Sequence, residues 1–207
     1  MSKQRHIRLF NRIAPMYGWF YRRQKTQYYQ LLGRFKQDLA FSPEDSFLDI
    51  GCGSGAFMQA LHEQGFNVKG LDASKRMLKT AQKKTSLGSE AFTLADATES
   101  LPFENKTFDT VFASYVAHGL DRENRQKLYR NMHRLAKKWV ILHDYHNKKR
   151  LVVSVIETLE RGHYFEFIKV VKDELEACIS NNKPCFKSVT KRPINKHASW
   201  YICEVND

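Results

Sequence analysis

The sequence predicts an α/β protein, and three features of its pattern indicate this class. A short apolar run, Phe47–Ile50, closes on a glycine-rich turn, and a helix pattern begins directly afterwards at Ala56. Strand-like and helix-like segments then alternate as far as a strand at 138–142. Two further strand-like runs, 186–192 and 198–205, predict an antiparallel hairpin at the end of the chain.

The turn after the first strand predicts a site for a nucleotide-containing cofactor. Glycine stands at alternate positions, Gly51, Gly53 and Gly55, where a Cβ would obstruct a ligand that approaches the backbone. A strand, a glycine turn and a helix in this order place backbone N–H groups beside the ligand. Asp49 stands two positions before the first glycine. Its carboxylate would repel a pyrophosphate but would suit a cationic group such as an ammonium.

The same run resembles the first motif of the class I S-adenosylmethionine (SAM) methyltransferases, which reads D/E-x-G-x-G-x-G. Asp49, Gly51, Gly53 and Gly55 fill its fixed positions. The resemblance implies SAM as the cofactor and S-adenosylhomocysteine as the product. Cys52 lies within the motif, and we expect it to be a small apolar filler of the cofactor site and not a nucleophile.

The next strand and helix also match the family in order. Asp72 ends a strand predicted at 67–71, where an acid can accept hydrogen bonds from both ribose hydroxyls. Ala73 follows it as a further expected cofactor contact. Ser74 is expected to cap the next helix, on which Met77 lies either against the adenine or in the core.

A third strand, predicted at 91–94, leads to the pair Asp96-Ala97, which the family places at the adenine edge. There a carboxylate can accept from the exocyclic amine, and a backbone N–H can donate to a ring nitrogen. The segment 101–109 resembles the L-P-F-x-x-x-x-F-D sequence of the family and leads into a fourth strand at 108–113. Ser114 follows at the carboxyl end of that strand, where open α/β sheets bind ligands, and is an expected cofactor contact.

The resemblance implies a Rossmann-like, doubly wound sheet of seven strands. The sheet is expected to be mostly parallel, with one antiparallel strand near the C-terminus, and to be preceded by N-terminal helices. We expect a single methyltransferase domain over residues 1–207, with a basic helical cap (1–40), a SAM-binding core (41–147), and C-terminal helices with a β-hairpin (148–207). Helices are predicted at 19–39, from Asp121 or Asn124 to Ala136, at 149–160 and at 165–179.

Composition excludes several classes of protein. The 207 residues are 42% hydrophobic and 27% charged, as in globular proteins, and no apolar stretch is long enough to predict a transmembrane helix. The basic N-terminus is not followed by the apolar region of a signal peptide. The four cysteines form no C-x-x-C pair, so we expect neither a metal nor a redox site and infer a reduced, cytoplasmic setting.

The net charge of +12 is unevenly distributed. Residues 1–40 hold nine Lys or Arg and one acid, and residues 183–197 hold five Lys or Arg and no acid. Positive fields attract nucleic acid, anionic lipid headgroups or acidic small substrates, although a solvated basic surface explains the same charge. Since no nucleic-acid-binding module accompanies the charge, a small-molecule acceptor is favoured over nucleic acid as the partner.

The N-terminal segment Phe10–Gly18 resembles the opening F-x-x-I-A-x-x-Y-D of the quinone-biosynthesis branch of the family. There, the aromatic end of the segment helps to close the cofactor and substrate pocket, which implies a cofactor contact for Tyr17. Gly18 stands where that branch has an acid. The alternative is that Tyr17 packs on the sheet as part of an amphipathic helix.

Polar residues at the ends of the fourth and fifth strands are the candidates for catalysis: Tyr115, His118, His143, Asp144 and His146. Methyl transfer needs a base only when the acceptor must lose a proton; positioning and desolvation supply the rest. His118 is the first choice, because the family places its loop nearest the transferring methyl, and His143 is the second. A structural or surface role for either histidine stays open. A metal site at the end of the fifth strand is disfavoured, because a further ligand is missing there.

Motifs after the fourth strand narrow the methyl acceptor. The segment 113–116 lacks the Pro-Pro-Tyr-like motif of DNA amino-methyltransferases, and Pro184-Cys185 comes too late to supply the nucleophile of a cytosine-C5 enzyme. The resemblance therefore implies methylation of an O, N or C atom of a small molecule. Two alternatives stay open: an RNA methyltransferase or RNA-binding protein that uses the basic N-terminal face, and a SAM-binding protein without catalysis.

Overall fold

The computed structural model describes residues 20–36, 38–146 and 163–206. The predicted contact of Tyr17, the segment 10–18 around it and the helix predicted at 149–160 lie outside these residues. The chain falls into two compact units, one ending at Ala97 and the other beginning at Thr98. None of the helices within the described ranges is both long and apolar enough to cross a membrane.

The first unit alternates helices and strands around a buried strand. Phe47, Leu48 and Ile50 of that strand have no exposed surface, as expected for a parallel strand covered on both faces. Ser74 caps the third helix, since its Oγ accepts the N–H of Met77 at 3.1 Å, as predicted. The elements are α1 (20–35), β1 (Ser46–Ile50), α2 (Ala56–His62), β2 (Asn67–Asp72), α3 (Lys75–Lys84), a 3₁₀ turn (Ser89–Ala91) and β3 (Phe92–Leu94).

Within residues 98–146 and 163–206, the second unit holds the remaining strands and two helices. Its first helix begins after Asp121, whose Oδ1 accepts the N–H of Asn124 at 2.9 Å. Of the two predicted starting residues, Asp121 and Asn124, it is therefore Asp121 that caps the helix. The elements are β4 (Phe108–Ser114), a 3₁₀ turn (Ala117–Gly119), α4 (Arg122–Leu135), β5 (Ala136–Tyr145), α5 (His163–Glu176), β6 (Ile179–Ser180), β7 (Lys183–Pro184), β8 (Phe186–Pro193) and β9 (Ala198–Val205).

The principal sheet has seven strands in the order β3-β2-β1-β4-β5-β9-β8. The pairs β1–β2, β2–β3 and β4–β5 are parallel, whereas β9 pairs antiparallel with both β5 and β8. The predicted class, a doubly wound and mostly parallel sheet with one reversed strand near the C-terminus, is confirmed. The predicted hairpin of the last two strands is also confirmed, with nearly the predicted bounds.

The fifth strand is longer than predicted. The sequence places its end at 142, with His143 and Asp144 beyond it, but β5 continues to Tyr145 because its pairing with β9 extends to Tyr145 opposite Ala198. A histidine and a carboxylate are poor strand formers by propensity, and the cross-strand pairing overrides that preference. These two polar side chains are therefore held by the rigid sheet.

The segment after the fifth strand differs in two boundaries. The helix predicted at 165–179 begins instead at His163 and ends at Glu176. A small hairpin, β6 and β7, follows it, and its turn is formed by Asn181 and Asn182 with φ of 51° and 61°. Asparagine tolerates this left-handed conformation. The sequence pattern missed the hairpin because strands of two residues carry no readable periodicity.

Candidate active site

The glycine turn of the first unit has a left-handed backbone at each of its three glycines. Gly51, Gly53 and Gly55 have φ of 70°, 54° and 77°, a region that favours glycine. A Cβ on Gly55 would lie 2.7 Å from Thr85 Cγ2, so this glycine allows the end of α3 to pack on the turn. A Cβ on Gly53 would meet only the Gly51 carbonyl oxygen, at 3.9 Å. The backbone at Gly53 therefore faces open space that a ligand can approach.

Asp49 is a buried carboxylate just before this turn. It is 1% exposed, and its Oδ1 has no hydrogen-bond partner within the described ranges. Burial, and to a lesser degree the Asp72 carboxylate, raises the pKa of Asp49 well above its usual range. An uncompensated buried carboxylate is unfavourable, and a cationic ligand group would relieve that cost. The site therefore suits an ammonium group, and the contact of Asp49 with the cofactor stays a prediction.

Asp72 ties the turn to the next strand. Its Oδ2 accepts the N–H of Gly53 at 2.9 Å, and its Oδ1 accepts the N–H of Ser74 at 2.8 Å. Burial raises the pKa of Asp72, while these two hydrogen bonds act in the opposite direction. Each carboxylate oxygen has a second lone pair beyond the one that the backbone occupies. The carboxylate can thus hold the turn and still accept hydrogen bonds from a ligand's hydroxyls.

The other residues predicted to contact the cofactor in this unit differ in exposure. Cys52 is buried, and burial raises the pKa of its thiol, so it stays protonated as a filler would. Met77 is 1% exposed and lies in the core, and a contact with adenine stays a prediction. Ala73, Asp96 and Ala97 are half-buried at the carboxyl ends of β2 and β3.

In the second unit, His118 and Asp144 form a close pair. His118 Nδ1 lies 2.8 Å from Asp144 Oδ1, and the backbone N–H of His118 donates to Oδ2 at 3.3 Å. The N–H of Tyr145 also donates to Oδ1, at 2.8 Å. Asp144 is fully buried, whereas the side chain of His118 is 13% exposed. With Nδ1–H donated to the carboxylate, the basic lone pair of the imidazole is on Nε2.

Aromatic rings surround His118. Ring centroids lie 4.8 Å away for Tyr145, 6.2 Å for Tyr164, 6.4 Å for Tyr115 and 6.5 Å for Phe167. Tyr164 and Phe167 belong to α5, and the sequence analysis assigned them no role. Their spacing of three positions, which places two rings on one face of a helix, could have indicated them.

A buried ion pair fixes α5 against α4. Arg125 has no exposed surface, and its Nε and Nη2 donate to the two carboxylate oxygens of Glu174, each at 2.7 Å. Its Nη1 donates to the carbonyl of Leu120 at 2.8 Å, and its Nη2 also reaches Glu166 at 3.3 Å. Two-point pairing of this kind sets orientation as well as distance. The pair thereby holds the α5 rings in place beside His118.

His143, the second candidate base, lies within the sheet. It is opposite Ser114 on β4 and Trp200 on β9, and it is 6% exposed. Burial lowers the pKa of His143 to about 4, although Asp144 opposes the shift. Its imidazole is therefore neutral and weakly basic at neutral pH.

The remaining candidates of this unit lie at the ends of β4 and β5. The buried Oγ of Ser114 has no hydrogen-bond partner in the part of the chain that the structure describes. Tyr115 follows with φ of 56°, and its N–H donates to the carbonyl of His143 at 2.8 Å. His146 Nδ1 lies 2.9 Å from Ser199 Oγ. Among the described residues, no group of three His, Cys, Asp or Glu could hold a metal ion.

Comparison with known proteins shows similarity to methyltransferases. A family model described as a methyltransferase domain matches residues 48–142, from β1 into β5. The ubiquinone/menaquinone biosynthesis C-methyltransferase of Campylobacter jejuni is 27% identical over 210 residues, covering 90% of this chain and 81% of that protein. By sequence, this chain is therefore similar to methyltransferases over residues 48–142 and, at 27% identity, over most of its length.

Solved structures of methyltransferases share the fold. A putative SAM-dependent methyltransferase from Methanococcus maripaludis has a TM-score of 0.64 at 17% identity, covering 95% of this chain and 94% of that one. Magnesium protoporphyrin IX methyltransferase from Synechocystis PCC 6803, solved with bound SAM, has a TM-score of 0.59 at 16% identity, covering 88% and 79%. The chain spans less than half the length of the first curated relatives that it matches.

SAM is the cofactor of this family, and the first unit fits it. The orphaned Oδ1 of buried Asp49 suits the ammonium of the methionine part. The open space at Gly53 admits a ligand to the backbone, and the Asp72 carboxylate has lone pairs left for ribose hydroxyls. The assignment of individual residues to individual groups of SAM stays a prediction.

Proposed function

We propose that this protein transfers the methyl group of SAM to a small-molecule acceptor and that His118, held by Asp144, takes up the proton that the acceptor loses. The observation that carries the proposal is the contact of 2.8 Å between His118 Nδ1 and Asp144 Oδ1. Bound SAM supplies an electrophilic methyl group on a sulfonium. The base of the pair is Nε2 of His118, since Nδ1 is committed to the carboxylate.

Asp144 stabilises the protonated state of His118. When Nε2 takes a proton, the imidazolium has a buried carboxylate in direct contact with its other nitrogen. The backbone N–H groups of His118 and Tyr145 fix that carboxylate, so it need not reorient during the reaction. The rings of Tyr164 and Phe167 exclude water from the pair, which strengthens its attraction.

The same geometry favours His118 over His143 as the base. His143 has a pKa of about 4 because it is buried, so it binds a proton too weakly to compete at neutral pH. We assign His143 a structural role in the sheet, opposite Ser114 and Trp200. An imidazole base such as His118 can take a proton from an acceptor hydroxyl, a protonated amine or an acidic C–H. The proposal therefore includes O-, N- and C-methylation.

Formation of S-adenosylhomocysteine tests the proposal directly. The protein is incubated with SAM and separate panels of phenols, carboxylates, amines and carbon acids, with structured RNA as a comparison. We expect product with one small-molecule class. His118→Asn keeps a donor for Asp144 but lacks Nε2, so we expect a fall in kcat of roughly 10²–10⁴-fold at unchanged SAM affinity.

Two outcomes contradict the proposal. Product with RNA alone would identify an RNA methyltransferase, and that activity should fall when Arg22 and Arg23, both exposed on α1, are neutralised. SAM binding without product for any acceptor would identify a SAM-binding protein without catalysis. Near-normal kcat in His118→Asn, with product formed from a small molecule, would retain the acceptor class and reject His118 as the base.

A further inference from the structure

We infer that Cys178 and Cys185 form a dithiol site that hydrogen peroxide converts to an intramolecular disulfide and that a thiol reductant restores. The two residues flank the small hairpin of β6 and β7, which follows α5. Seven positions separate them, so they form none of the short cysteine motifs that indicate such a site in a sequence. The structure thus opposes the expectation that the four cysteines include no redox site.

The hairpin brings the two cysteines face to face. Ser180 pairs with Lys183 and Ile179 with Pro184, so the next cross-strand pair is Cys178 and Cys185. The backbone N–H of Cys185 donates to the carbonyl of Cys178 at 2.8 Å, which confirms that the register continues to this pair. The two Sγ atoms are in hydrogen-bond contact at 2.7 Å, with both thiols free. The two sulfurs are therefore within reach of an S–S bond, whose length is about 2.05 Å.

The turn holds this register before any bond forms. Asn181 and Asn182 both have a left-handed backbone, as the two central residues of a type I′ turn do. A two-residue turn of this type fixes which residues of the strands stand opposite each other. The β6–β7 hairpin, which connects the two cysteines, is short and already ordered in the folded protein. Folding therefore accounts for most of the entropy lost when the two sulfurs are brought together.

The environment distinguishes the two sulfurs. The pKa of the Cys185 thiol is lowered, first by its hydrogen bond with Cys178 and also by the positive charges of Arg130 and Lys106, whereas burial acts in the opposite direction. The pKa of Cys178 is raised, first by the same hydrogen bond and then by burial. Cys185 is therefore the thiolate of the pair and the attacking nucleophile.

The oxidation balances as two displacements. The Cys185 thiolate attacks one oxygen of hydrogen peroxide, which gives a sulfenic acid and, after proton uptake, one water. The Cys178 sulfur then attacks Cys185 Sγ, the S–S bond forms, and the hydroxyl leaves as a second water with the Cys178 proton. Two thiols are oxidised and one peroxide is reduced to two waters. A dithiol reductant reverses the change by thiol–disulfide exchange.

Burial determines which oxidant can reach the pair. Both side chains have no exposed surface, whereas Ile179 and residues 181–184 of the hairpin are exposed. A hairpin with so few buried side chains opens locally at low cost, which admits a small neutral oxidant. Cys52 and Cys203 are also buried, and burial raises the pKa of both thiols, so they are matched controls for oxidation without a thiolate.

Mass spectrometry of the native full chain tests the site. The protein is treated with hydrogen peroxide, quenched, denatured and alkylated with a maleimide. Before alkylation, we expect the mass of the chain to be lower by two hydrogen atoms. After alkylation, Cys52 and Cys203 should carry the maleimide, and Cys178 and Cys185 should appear in one cross-linked peptide. Reduction with dithiothreitol should allow all four cysteines to be alkylated. Cys52→Ser should behave as the unsubstituted chain does. Cys178→Ser should form no disulfide and should instead leave a sulfenic acid on Cys185, which dimedone traps.

The result that overturns the inference is full alkylation of all four cysteines after peroxide, or a cross-link that includes Cys52 or Cys203. Circular dichroism verifies that Cys178→Ser is folded, and Cys185→Ala is the second variant that should lose the disulfide. If both variants unfold, the peptide map of the unsubstituted chain decides alone. A disulfide that forms only after urea denaturation, and not in the folded protein, also contradicts the site.

Discussion

The two units encode their functional groups in different ways. In the first, the glycine turn acts through its backbone. Gly51, Gly53 and Gly55 have positive φ, and the backbone N–H of Gly53 donates a hydrogen bond to the Asp72 carboxylate. Such geometry requires fixed residue types at fixed spacing, so a short motif records it. In the second, His118 and Asp144 are 26 positions apart and meet only because β4 and β5 are neighbours. The first group can be recognised in a sequence, whereas the second must be assembled by the fold.

Each unit also buries a carboxylate, and the two carboxylates differ in what satisfies them. Asp144 accepts from the imidazole of His118 and from two backbone N–H groups. Asp49 has an Oδ1 without any partner in the described segments, and burial raises its pKa. The hydrogen-bonding needs of Asp144 are thus met within the protein, whereas Asp49 is suited to a ligand's positive charge. Substitutions should therefore affect the two in opposite directions.

The largest effect is expected at Asp144. In Asp144→Asn, the side chain keeps its size, but an amide cannot hold Nδ1–H and stabilise an imidazolium as the carboxylate does. We expect kcat to fall by roughly 10²–10⁴-fold, with SAM affinity unchanged because Asp144 is fully buried against His118 and is not among the residues expected to contact SAM. Calorimetry with SAM and a pH–rate profile are the measurements. A kcat close to that of the unsubstituted enzyme would show that the pair is structural.

The second prediction concerns His143 and its effect on stability. Its folded pKa is about 4, below the value near 6.5 of an unfolded chain, so the unfolded state binds more protons between these values. The free energy of unfolding should therefore fall by about 3 kcal/mol as pH decreases from about 6.5 to 4. Urea denaturation at a series of pH values measures this slope.

His143→Gln should remove that part of the pH dependence. His62→Gln, at an exposed position on α2, should leave the slope intact and is the matched control. An unchanged slope in His143→Gln would mean that the imidazole takes up its proton at the same pH in the folded and unfolded states. It would also remove the argument that prefers His118 to His143 as the base.

In the part of the chain that the structure describes, the sequence predicted the elements of the first unit from local patterns, whereas it missed features of the second unit that depend on distant residues. The motif from Asp49 to Gly55 and the cap at Ser74 are local, and each required residue lies within a few positions of the next. The pairing of His118 with Asp144 depends on β5 extending past 142, which follows from pairing with β9 and not from the residues themselves. Tyr164 lies near His118 because of the position of α5. That position is set by the buried Arg125, which belongs to another helix, α4.

The third prediction separates two reasons for glycine in the turn. Gly55→Ala would place a Cβ 2.7 Å from Thr85 Cγ2 in addition to forcing φ of 77° on alanine. Gly65→Ala has φ of 88° but no atom within 4 Å of the new Cβ. We expect a loss of about 1 kcal/mol for Gly65→Ala, from conformation alone, and about 2–3 kcal/mol for Gly55→Ala. Equal losses would mean that packing of α3 on the turn contributes nothing.

The smallest effect on stability is expected at Asp49, and its sign is opposite to that at Asp144. Asp49→Asn removes a buried charge whose Oδ1 has no hydrogen-bond partner among the described residues, so the protein without cofactor should gain about 1 kcal/mol in its free energy of unfolding at neutral pH. Because the native pKa is raised, the gain should shrink as pH falls and the native carboxylate itself becomes neutral. Thermal or urea unfolding without SAM measures the difference, and Asp144→Asn, which should lose stability, is its counterpart.

The same substitution, Asp49→Asn, should weaken SAM binding while it stabilises the free protein. A neutral amide no longer attracts the ammonium group, so affinity should fall in Asp49→Asn. In the unsubstituted protein, affinity should decrease as pH falls through the raised pKa of Asp49, and in the variant this decrease should disappear. A variant that is more stable yet binds SAM less tightly would identify Asp49 as a cofactor contact whose buried charge lowers the stability of the free protein. A variant with unchanged affinity would leave the turn's backbone and Asp72 as the binding groups of that unit.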